Sequence, residues 1–583
     1  MKLLNTLLQV TLRLTIVMLA FEICRLLFLF LNKSFFPEID VWSVFGILKA
    51  GLKFDAAAVL ILNAPYIILM LINFGKRFDG LVKQFLKFVF VTLNLSAIIV
   101  NIIDVFYFPF TMERLTMRFF TFYLGTQKNL GALLLEYLVV YWYALIFLVA
   151  FIALIVRGYN RIGRIQLRIF NELSRRTILI IVVVTIYLGA AAASSGFIPF
   201  KKMVTTADAL ETTNNLFEVA AITNTPYNII LSTIKTEQTT PLPRLKKKQY
   251  SANADSTFTK KNVVIFILES FTREASGLLN PTLEGGNYKG YTPFLDSLMQ
   301  HSLYFTNGYA NGRRSIDAIP AILASVPAII NTPDENDIVS IGSLLKEEGY
   351  KTQFFHGADN GSMAFDEYCK KAGIDEYYGR TEFNNEDEFD GTWGIWDEPF
   401  LQYMAQKQLE TQQPFFSTVF NLSSHNPFDL PAKYEGKFEE GIDPICKCIS
   451  YSDYSIQQYF KTAAKMPWFK NTIFVFAADH SLTPWHREYA TTEKAFAIPL
   501  FFYAPDGSIK GKSSKIAQQI DIMPTLLNCL DYPNRYSAIG NNLLNNNAEQ
   551  WAITDIMKIP QIIEKDNFIK IIKSGEIIIS STQ

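Results

Sequence analysis

Cysteine and histidine are both scarce: five of each occur in 583 residues. The cysteines are Cys24, Cys369, Cys446, Cys448 and Cys529. An odd count with irregular spacing excludes a zinc-ribbon framework. Cys446 and Cys448 stand too close for an easy intramolecular disulfide, and a zinc site there would need further ligands nearby. The cysteines therefore carry no structural role as a set and leave the redox compartment unread. Net charge is missing too, since 54 Lys and Arg balance 54 Asp and Glu. Its distribution is uneven. Residues 1–200 hold 19 Lys and Arg against 9 Asp and Glu, so the remainder carries the balancing −10. A basic first part joined to an acidic second part does not fit a nucleic-acid-binding protein.

Apolar residues are plentiful. Half the chain is hydrophobic, and Phe alone supplies 48 residues. The length calls for two or more domains, and the composition puts one of them in a membrane. Five apolar stretches, about 7–31, 54–74, 85–108, 133–156 and 177–197, each reach the roughly 20 residues that cross a hydrocarbon core. The first is read as a retained helix. It is too long for a signal peptide, contains Glu22 and Arg25, and lacks a small-residue cleavage site. Segment 157–176 carries Arg157, Arg161, Arg164, Arg168, Arg175 and Arg176, and segment 75–88 carries Lys76, Arg77, Lys83 and Lys87. The positive-inside rule puts both in the cytoplasm, which sends everything after residue 197 outside. Asp55, Asp104 and Glu136 stand near span ends, where exposure to headgroups explains them.

Residues 198–260 are polar and include Pro241-Leu242-Pro243 and Lys246-Lys247-Lys248, with some helical periodicity around 206–234. They read as an extended tether along the membrane surface, with lysines able to meet anionic headgroups, or as a plain solvated linker. From Asn262 the pattern changes. Apolar runs at Val263–Leu268, Lys351–Phe355, Phe415–Phe420, Thr472–Ala477 and Ile498–Tyr503 alternate with helical segments at Pro293–His301, Ile341–Glu348, Ser452–Lys465 and Ile520–Leu530. That alternation predicts an α/β domain with a mostly parallel sheet covered on both faces. Ligands of such sheets bind at the carboxyl ends of strands. Glu269, His356, Asn421–His425 and Asp479-His480 all follow a strand run.

Those residues suit phosphoryl transfer. A carboxylate at a strand end can hold a metal, although a residue such as Glu269 taken alone is more often a surface residue or a helix cap. Asp479-His480 is a stronger signal, because two adjacent ligating side chains can turn toward one ion where the chain leaves the sheet. Oxygen and imidazole donors suit zinc, manganese or magnesium. Ser315, in Asn311-Gly312-Arg313-Arg314-Ser315, is a poor nucleophile unless a metal lowers its pKa. Arg314 beside it could neutralise phosphate oxygens. His425 could donate to a phosphate or a leaving group.

With these residues in view, the outer domain resembles the sulfatase and alkaline phosphatase superfamily, in its branch of lipoteichoic acid synthase-like phosphoglycerol transferases. The likeness covers about 262–535. It includes Asn262–Glu269, Thr292-Pro293-Phe294-Leu295-Asp296, Trp393-Gly394 with Asp397, Asp479-His480, and Gln519-Ile520-Asp521-Ile522-Met523-Pro524-Thr525. The resemblance implies that Glu269, Ser315, Asp479 and His480 surround one divalent metal, manganese first and magnesium or zinc next. It implies that Ser315 attacks the phosphodiester of a membrane phospholipid donor, and that an envelope glycan or lipid acceptor then takes the group. His425, with Arg314 and His356, would bind substrate. The whole chain then divides into a five-helix transmembrane region (1–197), a linker at the membrane surface (198–260), an extracytoplasmic catalytic domain (261–545) and a C-terminal extension (546–583). The protein is expected in the cell membrane, multi-pass, with no nucleic-acid partner.

Two departures stand out. This branch usually places Thr where this chain has Ser315. The segment after His356-Gly357 lacks the Trp and Arg with which the branch holds glycerol phosphate, which leaves the headgroup open. The rival readings are a phosphoethanolamine transferase, a sulfatase-like ester hydrolase, and a non-catalytic module on a dead enzyme fold. A true sulfatase needs a Cys or Ser followed by Pro and Arg at set positions, whereas Ser315 is followed by Ile316, Asp317, Ala318 and Ile319.

Overall fold

The computed structural model describes residues 2–72, 79–117, 119–120, 139, 141–165, 203–233, 245–251, 257–329, 338–557, 559–564, 568–573 and 576–581. They divide into two compact units, Met1–Thr240 and Pro241–Gln583.

Among its described residues the first unit has four long helices: α1 (Lys2–Leu31), α2 (Val41–Leu71), α3 (Asp79–Thr111) and α4 (Ala144–Ile162). Among the described residues, three stretches are long and apolar enough to cross a membrane: Asn5–Leu31, Gly80–Pro109 and Ala144–Ile162. Three of the five expected spans overlap these candidates. The expected stretch 54–74 falls largely on α2, outside those three. The expected stretch 177–197 lies outside the described residues, as does Glu136.

Asp55 and Asp104 do not face headgroups. Both are fully buried. Arg25 donates to both oxygens of Asp55, at 2.6 and 2.8 Å, and to the Ala221 carbonyl at 3.0 Å. Arg114 pairs with Asp104 at 3.0 Å. The physical reason is local: a carboxylate shut away from water persists only when paired and hydrogen-bonded. Those pairs also explain residues 203–233, which form no extended tether. They include α5 (Leu216–Ile222) and α6 (Thr225–Thr233), and α5 buries most of its side chains. Asn224 donates to Asp55 at 2.8 Å and Thr225 to Asp104 at 2.7 Å, so the charged pairs bind this segment to the helices.

The second unit is an eight-stranded sheet between layers of helices. Its strands are β1 (Asn262–Leu268), β2 (Leu303–Tyr309), β3 (Lys351–His356), β4 (Glu376–Tyr378), β5 (Phe415–Phe420), β6 (Thr472–Ala478), β7 (Leu500–Tyr503) and β8 (Gly511–Gln518). The spatial order is β4-β3-β5-β1-β6-β7-β2-β8. Only β7 runs antiparallel to its neighbours. Every residue of β1 is buried. Val263, Ile265 and Ile267 enter one core, while Val264, Phe266 and Leu268 enter the other. That alternation follows from the two-residue side-chain period of a strand. It explains why β1 reads as one unbroken apolar run. A meander of Trp551–Ile556, Ile559–Glu564, Phe568–Lys573 and Glu576–Ser581 follows, all antiparallel.

Candidate active site

The central strands β5, β1 and β6 end together. Ile267 pairs with Phe420, and Leu268 pairs with Ala478. This register brings Glu269 and Asp479 side by side one residue past the sheet. The Asp479 amide donates to the Leu268 carbonyl at 3.1 Å, which carries the parallel pairing one step further. Ser270 then turns in the left-handed region, at φ 58°. A non-glycine residue there is strained and depends on its surroundings to hold it. Here its amide donates to Asp479 Oδ1 at 2.7 Å and its hydroxyl to Glu269 Oε1 at 2.6 Å.

Glu269, Asp479 and His480 each offer a ligand atom, and these atoms lie within 4.8 Å of one another. All three residues are buried. His480 Nε2 stands 3.2 Å from Asp479 Oδ2 and 3.8 Å from Glu269 Oε1. Ser315 begins α7 (Ser315–Ala324), and its hydroxyl donates to Glu269 Oε2 at 3.1 Å. Gly312 is needed just before it, because a Cβ there would come within 2.5 Å of the Asp317 side chain.

Burial, reinforced by the charge of Asp479, raises the Glu269 carboxyl to about 7. Burial likewise raises Asp479 to about 6. Burial lowers the His480 imidazole, which favours its neutral, ligating form. Asp479 Oδ2 is buried yet makes no hydrogen bond. Two crowded carboxylates, one orphaned oxygen, a neutral imidazole and a hydroxyl form a donor set that fits a divalent cation.

A network behind these residues fixes them. Asp397, at the start of α8 (Asp397–Glu410), accepts from the Leu422 and Ser423 amides at 2.9 and 3.1 Å, from Asn421 at 2.9 Å and from Ser452 at 2.6 Å. Asn421 in turn accepts from the Glu269 amide at 2.8 Å. Ser424 donates to the Glu269 carbonyl at 2.6 Å. Gln519 donates to the Ala478 and Asp479 carbonyls, each at 2.7 Å. Asn421, Ser424 and Gln519 stood within segments singled out from the sequence, but no local signal gave them these partners.

The remaining expected substrate residues fall in three different places. His425 is partly exposed and packs on Trp393, with ring centroids 3.9 Å apart. Arg314 is half-exposed and held by Asp317 at 2.7 and 3.0 Å. His356 is shut in the core. It is fully buried, packs against Phe365 and Phe420, and meets Tyr377 at 3.1 Å. Burial lowers its imidazole to about 3. As the last residue of β3, it sends its ring into the core.

Among known sequences, the profile of the family described as Sulfatase matches residues 261–532. A lipoteichoic acid synthase of Staphylococcus aureus (strain bovine RF122 / ET3-1) is 26% identical over 373 residues, 59% of this chain and 55% of that protein. Lipoteichoic acid synthase 2 of Bacillus subtilis (strain 168) is 26% identical over 369 residues, 56% of this chain and 54% of that protein. The chain thus spans about half the length of the curated relatives it matches. Among solved structures, an alkaline phosphatase superfamily protein from Vibrio parahaemolyticus has TM-score 0.49 and 27% identity, covering 59% of this chain and 85% of that one. The lipoteichoic acid synthase LtaP of Listeria monocytogenes has TM-score 0.47 and 21% identity, covering 55% of this chain and 85% of that one. Residues 261–532 are a sulfatase-family domain.

Proposed function

We propose that the chain is a membrane-bound transferase. It moves a phospho-alcohol headgroup from a phospholipid donor, through a phosphorylated Ser315, to an envelope glycan or lipid acceptor. The observation that carries this reading is the Ser315 hydroxyl, directed at Glu269 beside the buried Asp479-His480 pair. Glu269, Ser315, Asp479 and His480 would hold the divalent ion, for which manganese is the first choice. When bound, the ion supplies Lewis acidity toward phosphate oxygens and lowers the pKa of a ligating hydroxyl.

The chain's own residues supply the rest. Glu269 orients the Ser315 hydroxyl and is placed to accept its proton. Attack forms the Ser315 Oγ–P bond and breaks the P–O bond to diacylglycerol, which leaves with a proton. The acceptor hydroxyl then attacks the same phosphorus and frees Ser315. Ser315 starts a helix, so the partial positive charge of that helix end faces the phosphoryl group. His425 would donate to the phosphate or the leaving oxygen. The apolar first unit supports catalysis beside its lipids, and the arginine-rich segment 157–176 supports an extracytoplasmic site. Diacylglycerol release from labelled phospholipid, compared between the native chain and Ser315→Ala, tests the reading.

A further inference from the structure

Among the described residues of the first unit, three arginines are buried: Arg13, Arg25 and Arg114. Arg25 pairs with Asp55 and Arg114 with Asp104. Arg13, on α1 and only 5% exposed, has no carboxylate partner among the described residues. Its Nη1 donates to the Tyr66 hydroxyl at 2.7 Å and reaches the Met70 sulfur at 4.0 Å. Its guanidinium carbon lies 3.7 Å from the centre of the Tyr159 ring. Its Nε is buried and makes no hydrogen bond. The cradle is built from three helices. Tyr66 of α2, Phe90 of α3 and Tyr159 of α4 pack on one another, with ring centroids 4.9, 5.2 and 6.4 Å apart. On the remaining side stands Gly163, the exposed cap of α4. A Cβ there would come within 3.1 Å of Nη2, so the absent side chain leaves that donor uncovered.

A guanidinium does not shed its proton to escape burial, so its charge needs a counterpart. The Tyr159 face and the carbonyl end of α4 offset part of the cost. Neither supplies the anionic oxygens that Arg25 and Arg114 have. Further positive charge gathers at the same end of the helices. Arg157, Arg161 and Arg164 are exposed on and just past the last turns of α4, and Lys87 stands one turn before Phe90 on α3. Exposed apolar side chains, Phe88 on α3 and Leu154 on α4, adjoin these bases in the chain. Basic residues bordering apolar helix faces suit one ligand chemistry, a phosphate carried on acyl chains. We propose that Arg13 binds the phosphate of an anionic phospholipid, which approaches over Gly163. No residue of the second unit takes part, so the inference stands apart from the transferase reading.

The test is native mass spectrometry of the full chain in detergent, titrated with phosphatidic acid or with phosphatidylcholine of the same acyl chains. Phosphatidic acid has no headgroup alcohol to transfer, and a chelator keeps divalent ions from recruiting phosphate elsewhere. The expected result is a Kd for phosphatidic acid about tenfold below that for phosphatidylcholine, the scale of one charge-assisted contact. Arg13→Gln should bring the two lipids to parity. Gly163→Val keeps Arg13 and covers its open side, so it should do the same, and it decides the matter alone if Arg13→Gln does not fold. Equal affinity in the native chain, or a preference unmoved by both substitutions, overturns the assignment. Millimolar inorganic phosphate should leave the bound lipid in place. Displacement by it would overturn the lipid as the occupant.

Discussion

The Ser315 hydroxyl donates to Glu269 Oε2 at 3.1 Å, across 46 residues of sequence. One end of the pair comes from the tip of β1 and the other from the start of α7. The bond orients the hydroxyl toward Asp479 and His480. Ser315→Ala should therefore lower turnover by more than about a thousandfold, the scale seen when a nucleophile is removed. Ser315→Thr keeps a hydroxyl at the same place and should retain measurable turnover. Steady-state release of diacylglycerol checks both.

Glu269 would link pH to metal binding. Its folded-state carboxyl is raised from 4.5 to about 7, so folding favours its protonated form. In the metal-free protein its contribution to stability is lost as pH climbs through that window. A bound cation relieves the repulsion. The melting shift produced by a divalent ion should therefore be larger above pH 7 than below 4.5. At a hundredfold excess over Kd the ion is worth about 2.7 kcal/mol. Thermal unfolding with the ion and with chelator, at both pH values, measures this. Glu269→Gln should flatten the dependence.

Asp397 acts at a distance. It accepts from Asn421, which accepts from the Glu269 amide. Asp397→Ala removes four acceptor contacts from buried donors and should destabilise the domain by about 3 kcal/mol or more. Asp397→Asn keeps part of the network. It should fold and lose kcat more than KM, because it misplaces Glu269 without touching substrate.

His356 gives the opposite expectation. Its imidazole is buried between Phe365 and Phe420. His356→Phe should leave KM unchanged and alter only the unfolding midpoint. A raised KM with unchanged stability would return His356 to the substrate site.

In the first unit, Arg25 and Asp55 form a fully buried pair. Asp55→Ala should cost about 3–5 kcal/mol, because it strands a charge. Replacing both with apolar residues of similar volume should recover much of that loss. Unfolding in detergent of the two singles and the double completes the cycle.

These particulars show which parts of the structure can be read from sequence. Glu269 and Asp479-His480 were legible because each closes an unbroken apolar run, and buried parallel strands write such runs. The strand Leu303–Tyr309 was missed because it contains Asn307-Gly308, a pair that reads as a turn. Gly511–Gln518 was missed because an edge strand needs few apolar residues, and its first half is only partly buried. The strand-end rule could not separate His356 from His425, since it locates a residue without saying which way its ring turns. The Asp55 pairing depended on Arg25, Ala221 and Asn224, far apart in the chain. Contacts of that kind leave no local pattern.

The most direct measurement is intact-protein and peptide mass spectrometry of the full chain after incubation with phospholipid and a divalent ion. The account predicts a phospho-alcohol adduct on the peptide containing Ser315, absent from Ser315→Ala and from chelated protein. Turnover without any adduct at Ser315, or an adduct that persists in Ser315→Ala, would contradict it.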